Sequence, residues 1–174
     1  HFDVNVNSGS FQPSCNGFTY TGQDFTYGTA PSLTITAMNA ATISEATQNY
    51  TVSDFMKLEV GDITRVFPST DTQTGKDGIA MMAVETTLSA GEALVADGAG
   101  VMTYSFDAAD LYRYTKNANA EIGPFDSNLS VAVTEIKDVD DVEEPNIPTT
   151  PLLINPTSTN IRYGRMVMQN AYGP

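Results

Sequence analysis

Apolar and polar residues alternate along several short stretches of the chain. A period of two is typical of β-strands that place one face on a core and the other in water. The alternation begins at the first residues and is cleanest at residues 129–134. The inward positions predict a buried core of ten residues: Phe2, Val4, Leu33, Ile35, Leu58, Tyr104, Phe106, Leu129, Val131 and Val133.

Turn residues separate these stretches, and helical patterns are short. Gly and Asp adjoin at residues 61–62, 77–78 and 97–98, as expected where strands turn. A strand is predicted at residues 56–60, and a central strand at 79–84, which is apolar on both faces. Residues 44–49 and 89–96 each have room for a helical turn or two, the second with Ser89 and Glu92 at capping-box spacing. The pattern predicts an all-β fold, an immunoglobulin-like antiparallel β-sandwich of about eight to eleven strands.

The pattern changes after residue 144. Four prolines lie among Thr, Asn and Ser in residues 145–160, which predicts an extended Pro-rich linker rather than a packed segment. Residues 161–169 form another strand-like run with a mixed pattern, half apolar on both faces. We therefore expect a sandwich domain at 1–144, a linker at 145–160 and a C-terminal strand at 161–174, which is either the last strand of the sandwich or the first strand of a following domain. That strand is expected to pair with a sheet edge, either in its own chain or in a neighbouring molecule. The chain has no initiator Met, and we expect it to be part of a longer protein.

Charge and composition exclude several classes of function. Eight Lys and Arg face 21 Asp and Glu, for a net charge of −13. That balance excludes phosphate-tracking nucleic-acid binders, and no apolar run reaches the roughly 18 residues of a membrane helix. With one His at the first position and one Cys, Cys15, in a loop, neither a zinc site nor a His-activated nucleophile is expected. The composition favours a binding or structural module over an enzyme, with no cofactor.

The densest charge lies in residues 135–144, where six carboxylates accompany a single Lys. Ca²⁺ binds six to eight oxygens in proteins, so Asp138, Asp140, Asp141 and Glu143 are the candidate cation ligands. The spacing is not that of an EF-hand. The alternative is a solvated acidic turn that keeps a sheet edge from pairing. The polar run at residues 71–78 is interpreted as an ordinary hairpin loop.

Several segments resemble a known family. They are residues 1–4, 15–25, 33–40, 48–51, 124–126, 138–140 and, most specifically, the Arg-Tyr-Gly-Arg block followed by Gln-Asn-Ala-Tyr-Gly within 162–173. By these segments the chain resembles the MshQ family of MSHA pilus biogenesis proteins. The resemblance implies a long, exported, multi-domain surface protein of Gram-negative bacteria, and it carries over no catalytic residue. Relatives often have Gly where this chain has Asp141, which weakens a calcium site borrowed from other sandwich repeats.

The sequence and the resemblance together predict a non-enzymatic structural or adhesive module of a pilus-associated protein at the cell surface. Its expected partners are other domains of the same protein or pilus components, with a surface ligand as a further possibility. The alternative is a Ca²⁺-rigidified or carbohydrate-binding β-sandwich. A sugar-binding groove would line a concavity with exposed Tyr side chains, whereas a stalk module would bury its aromatic residues.

Overall fold

The computed structural model describes residues 1–73, 81–115, 124–147 and 149–164. These residues form strands and three short 3₁₀ turns, at Gln48–Thr51, Ser53–Phe55 and Val60–Asp62. The strands are β1 (Phe2–Asn7), β2 (Ser10–Gln12), β3 (Thr19–Tyr20), β4 (Asp24–Thr29), β5 (Ser32–Ala37), β6 (Ile63–Val66), β7 (Thr70–Thr72), β8 (Met81–Thr87), β9 (Ala93–Gly98), β10 (Val101–Ser105), β11 (Leu111–Tyr114), β12 (Phe125–Asp126), β13 (Val131–Ile136), β14 (Leu152–Ile154) and β15 (Asn160–Arg162). Within the described residues, no helix is long and apolar enough to span a membrane.

Four sheets share these strands. Their orders are β1-β5-β10-β9, β2-β4-β11-β8-β7, β12-β15-β3 and β14-β13-β6. The pairs are antiparallel except β15 with β3, which run parallel. β8 lies between β11 and β7, as expected of the central strand predicted there. The predicted all-β fold of packed antiparallel sheets is confirmed.

One continuous hydrophobic core joins the sheets. Of the ten predicted core residues, nine are buried, and Val4 is partly buried because its strand lies at a sheet edge. Aromatic rings form the centre of the second sheet. Phe11 stacks on Tyr27 at a centroid distance of 5.3 Å and meets Tyr112 edge-on at 5.1 Å, arrangements that aromatic pairs prefer. Tyr27 also contacts Phe106, after β10, at 6.4 Å, which couples this sheet to the first.

Two local predictions are wrong because tertiary hydrogen bonds override the sequence pattern. Leu58 is buried as expected, but residues 56–59 form no strand. The N–H of Leu58 instead donates to the Tyr50 hydroxyl at 3.1 Å. The Ser89–Glu92 pair caps no helix, because the N–H of Ser89 donates to Asp110 at 3.0 Å and the chain continues into β9. Of the helical pattern at 44–49, only the 3₁₀ turn that starts at Gln48 is present.

The interpretation of residues 145–160 as an unpacked linker is corrected by the structure. Ile147 and Ile154 are both buried, and β14 pairs with β13. The prolines permit this because they flank β14, where a missing N–H costs no ladder hydrogen bond. Pro151, for example, directly precedes the strand. The proposed domain boundaries at 144 and 160 stay a prediction.

The C-terminal segment pairs within its own chain where the structure describes it. β15 lies between β12 and β3, and Ile161 at its centre is fully buried. Its N-terminal neighbour Thr159 also donates its N–H to the Ser127 hydroxyl at 3.0 Å. The rest of the predicted strand, from residue 165 onward, lies outside the described residues.

The burial pattern gives a direct test of the core. Leu33 is fully buried, whereas Leu88 is half exposed. We expect Leu33→Ala to lower the free energy of unfolding by about 2–5 kcal/mol, since it removes buried methyl groups and leaves a cavity. The same truncation at Leu88 is expected to change it by no more than about 0.5 kcal/mol. Urea denaturation of both variants measures the difference, and equal effects would contradict the assigned core.

Candidate functional site

The acidic run predicted from the sequence forms a closed turn after β13. Asp138 is almost completely buried at its centre. One carboxylate oxygen accepts from the N–H groups of Asp140 at 3.0 Å and Val142 at 2.9 Å. The other accepts from the Tyr50 hydroxyl. Burial and the nearby carboxylate raise the pKa of Tyr50 above its ordinary range, so this hydroxyl remains a neutral donor.

The other three candidate ligands point elsewhere. Asp140 is exposed, and Asp141, at a positive φ of 63°, forms an ion pair with Lys137 at 2.8 Å. Glu143 pairs through its backbone with Lys137, and its carbonyl accepts a hydrogen bond from the N–H of Phe2 at 2.9 Å. Among the described residues, no three acidic, His or Cys side chains converge as metal ligands would. The four carboxylates therefore share a turn without facing a common centre.

A second buried carboxylate, Asp71, was not anticipated from the sequence. It lies on β7 in the segment interpreted as a polar hairpin, and only 2% of its surface is exposed. One oxygen accepts from the Tyr114 hydroxyl, from the N–H of Asn128 at 2.9 Å and from the side-chain amide of Gln73 at 2.9 Å. Burial, followed by the hydrogen bond to Asp71, raises the pKa of Tyr114 far above its usual range. Asp71 thus ties β7, β11 and the loop after β12 together.

A third carboxylate, Asp110, is fully buried beside the guanidinium of Arg65. One of its oxygens accepts from the N–H of Ser89, and the other lies 3.7 Å from Arg65. The side chain of Arg65 is only 6% exposed, and it also forms an ion pair with Glu92. Its guanidinium carbon lies 4.6 Å from the ring centre of Phe106, a cation–π distance. Burial raises the pKa of Asp110 above its ordinary value.

Each of these three carboxylates is almost completely shielded from solvent. Asp71, Asp110 and Asp138 are 2%, 0% and 4% exposed. A group that acts on a dissolved substrate must touch it, and none of the three lines an open surface. Cys15, the single cysteine of the sequence, is half-buried, with its sulfur 3.7 Å from the Gln23 amide oxygen.

Comparison with known protein families gives a match over most of the chain. Residues 1–151 match the family described as DUF6701, third domain. The chain belongs to this family. No curated protein and no solved structure matches it. The DUF6701 third domain is a domain of unknown function.

In this DUF6701 domain, the sequence signal found one of the three buried carboxylates. The dense acidic run around Asp138 marks this residue as a candidate. Asp71 and Asp110 each lie among turn-forming residues, where an Asp usually faces solvent. The available sequence signal for the burial of these two residues lies in their neighbours. Asp71 stands between two Thr residues, and Asp110 directly precedes the alternating Leu-Tyr-Arg-Tyr of β11.

The acidic turn predicts a contrast between two neighbouring residues. Asp138→Ala removes the acceptor of two backbone N–H groups and of Tyr50, so we expect it to lower the free energy of unfolding by about 2–3 kcal/mol. Asp140→Ala removes an exposed carboxylate and keeps the backbone, and should change it by at most about 0.5 kcal/mol. Both variants are compared by urea denaturation. Similar losses would show that Asp138 does not close the turn.

The same turn predicts the response to calcium. A native-state ligand at a hundredfold excess over its Kd stabilises a protein by about 2.7 kcal/mol. Because the four carboxylates do not converge, we expect the same melting temperature in millimolar CaCl₂ and in chelator. A calcium-dependent rise that Asp140→Ala abolishes would establish the cation site instead.

The pKa shift of Asp110 predicts a pH dependence. A carboxyl whose pKa is raised by folding binds its proton more tightly in the folded state, so its stabilising contribution is full at low pH and is lost as the pH rises through the folded pKa. We therefore expect the unfolding free energy of the unaltered protein, relative to Asp110→Asn, to fall as the pH rises above the ordinary value of 3.8. Denaturation across pH measures this, with exposed Asp54→Asn as control. A difference that stays constant or grows would contradict the burial of Asp110.

Proposed function

We propose that this domain is a non-enzymatic structural module of an exported, pilus-associated bacterial surface protein. The observation that carries the proposal is that the buried carboxylates of the domain bind its own backbone. Asp71, Asp110 and Asp138 are each buried and hydrogen-bonded to backbone N–H groups of neighbouring loops. Buried carboxylates used in this way stabilise a fold and are removed from contact with substrates.

The placement of the aromatic residues supports a structural module over a carbohydrate-binding one. Tyr27, Tyr104, Tyr112 and Tyr114 are at most 3% exposed. Burial raises the pKa of Tyr27 and Tyr112 well beyond the usual range, and their hydroxyls bond each other inside the core. Sugar-binding surfaces instead expose rings along a groove. The groove between Val4 of β1 and Leu152 and Leu153 of β14 has no aromatic lining residue.

Export and pilus association rest on the resemblance to the MshQ family. The segments that carry it include the N-terminal residues 1–4 and the block within 162–173. Membership of the DUF6701 third-domain family is compatible with a piece of a multi-domain protein. A net charge of −13 fits a solvent-facing module that stays monomeric through self-repulsion.

The experiment is to locate the domain on living cells. Antibodies against residues 1–174 are applied to intact and to permeabilised cells of the source bacterium, and to a strain that lacks the gene. We expect labelling of intact cells that the deletion removes and that co-localises with pili. A cytoplasmic protein serves as the control for leakage. Labelling that requires permeabilisation would refute the proposal.

A second arm separates a structural role from catalysis or sugar binding. Residues 1–174 are replaced in the full-length protein by an unrelated β-sandwich of similar length, and surface display and piliation are quantified. A structural module predicts that the replacement preserves both. Loss of piliation despite normal display would assign a specific activity to this domain and overturn the proposal.

A further inference from the structure

One edge of the first sheet is open in its middle. β1 is the outermost strand and pairs only with β5. The N–H of Phe2 points away from β5, since it donates to the carbonyl of Glu143 at 2.9 Å, whereas the carbonyl of His1 accepts from Met38 on the β5 side. Backbone groups alternate in direction along a strand. The N–H and C=O groups of Val4 and Val6 therefore point outward as those of Phe2 do.

The chain covers both ends of this edge. Glu143 bonds Phe2 at one end, and at the other Thr157 donates to the carbonyl of Gly9 at 3.0 Å and accepts from the N–H of Phe11 at 2.9 Å. Between these points, no described residue pairs with the outward groups of Val4 and Val6. β1 runs from Phe2 to Asn7 and spans roughly 17 Å at about 3.3 Å per residue, so the gap around Val4 and Val6 admits a segment of about four residues.

A groove of about 400 Å³ lies beside Asp3 and Val4, at the first part of this gap. Its apolar lining comes from Val4 on one side and from the segment around β14 on the other, including Ile147, Leu152 and Leu153. Leu153 is 57% exposed, and Val4 is only partly buried. An unpaired strand edge beside exposed apolar side chains has the two features that strand-addition sites use: backbone hydrogen bonds for affinity and apolar contacts for side chains.

The groove is acidic, which favours a cationic occupant. Asp3 and Glu144 line it, and neither Lys nor Arg does. Asp3 is exposed, and the Glu144 carboxylate is held in place by the N–H groups of Asn146 at 2.8 Å and Ile147 at 2.6 Å. A second copy of this chain would bring another net charge of −13. Complementarity favours a cationic partner and disfavours self-association.

We propose that this groove binds a short extended peptide segment of another protein, which adds as a strand to β1 at Val4 and Val6. The segment carries apolar side chains toward Val4, Leu152 and Leu153, and Lys or Arg toward Asp3 and Glu144. The site is a feature of the surface and does not depend on the function proposed above.

The test uses the whole 174-residue chain and a small panel of capped hexapeptides. Each has Lys at both ends and alternates Thr with Val, Leu or Phe between them. Binding is followed by NMR and calorimetry. In the free protein we expect the amides of Val4 and Val6 to exchange at least about tenfold faster than those of Asp3 and Asn5, which face β5. Peptide binding should shift and protect the Val4 and Val6 amides.

Matched variants isolate each contribution. Asp3→Lys reverses a groove charge and should weaken binding by about fivefold to tenfold, whereas Asp54→Lys makes the same change of net charge on an exposed residue outside the groove and should leave Kd within about twofold. A peptide with N-methylated central amides keeps its side chains but loses the backbone hydrogen bonds, so it should not bind detectably. A peptide with Glu in place of Lys should bind worse than the Lys peptide.

Four results would overturn the proposal. They are no binding by any panel member below about 1 mM, equal affinity of the N-methylated peptide, equal weakening by Asp3→Lys and Asp54→Lys, and a dimer in light scattering that protects the Val4 and Val6 amides without peptide. The last result would give the edge to a second copy of the chain. The N-methylated peptide needs no protein variant, so the test stands even if Asp3→Lys lowers the melting temperature.

Discussion

Asp71, Asp110 and Asp138 lie on three different parts of the chain, yet each has its carboxylate buried against the N–H groups of a loop. Many strands of this domain have only two to four residues, and such strands supply few ladder hydrogen bonds to fix the loops that join them. A buried N–H without an acceptor costs about 1–3 kcal/mol. The carboxylates supply those acceptors. In two of the three cases, a Tyr hydroxyl from another part of the chain also donates to the same carboxylate. The arrangement of the loops depends on this pairing.

The buried carboxylates belong to a strongly acidic domain. The sequence has 21 acidic and 8 basic residues, so most carboxylates have no cation to pair with. Three of them accept hydrogen bonds from neutral donors: a backbone N–H donates to each, and a Tyr hydroxyl donates to Asp71 and to Asp138. Asp110 also has a cation beside it. The guanidinium of Arg65 lies next to this carboxylate, among the rings of Phe67, Tyr104 and Phe106. The exposed acidic residues give the surface of the domain its negative charge. One of them, Asp3, lies on β1, an edge strand that is open to an added strand.

The sequence predicted the strands and the core well because a half-buried strand has a strict period of two, which residues such as Leu33, Ile35 and Val131 display. It predicted poorly wherever a contact distant in sequence decides the local structure. Residues 145–160 looked like a linker because of their prolines, but Ile147 and Ile154 anchor them in the core. The buried carboxylates show the same limit: nothing adjacent to Asp71 in sequence reveals Tyr114 or Asn128, which reach it only in the folded chain.

The most direct test of the structural role of these carboxylates is a double-mutant cycle between Asp71 and Tyr114. Urea denaturation is measured for the unaltered protein, Asp71→Asn, Tyr114→Phe and the double variant. If the buried hydroxyl–carboxylate bond holds β7 to β11, the effects of the two substitutions will be non-additive, with a coupling free energy of about 1–3 kcal/mol. Effects that add to within about 0.5 kcal/mol would show that the two side chains do not stabilise each other, and the account of this fold as one fixed by buried carboxylates would be wrong.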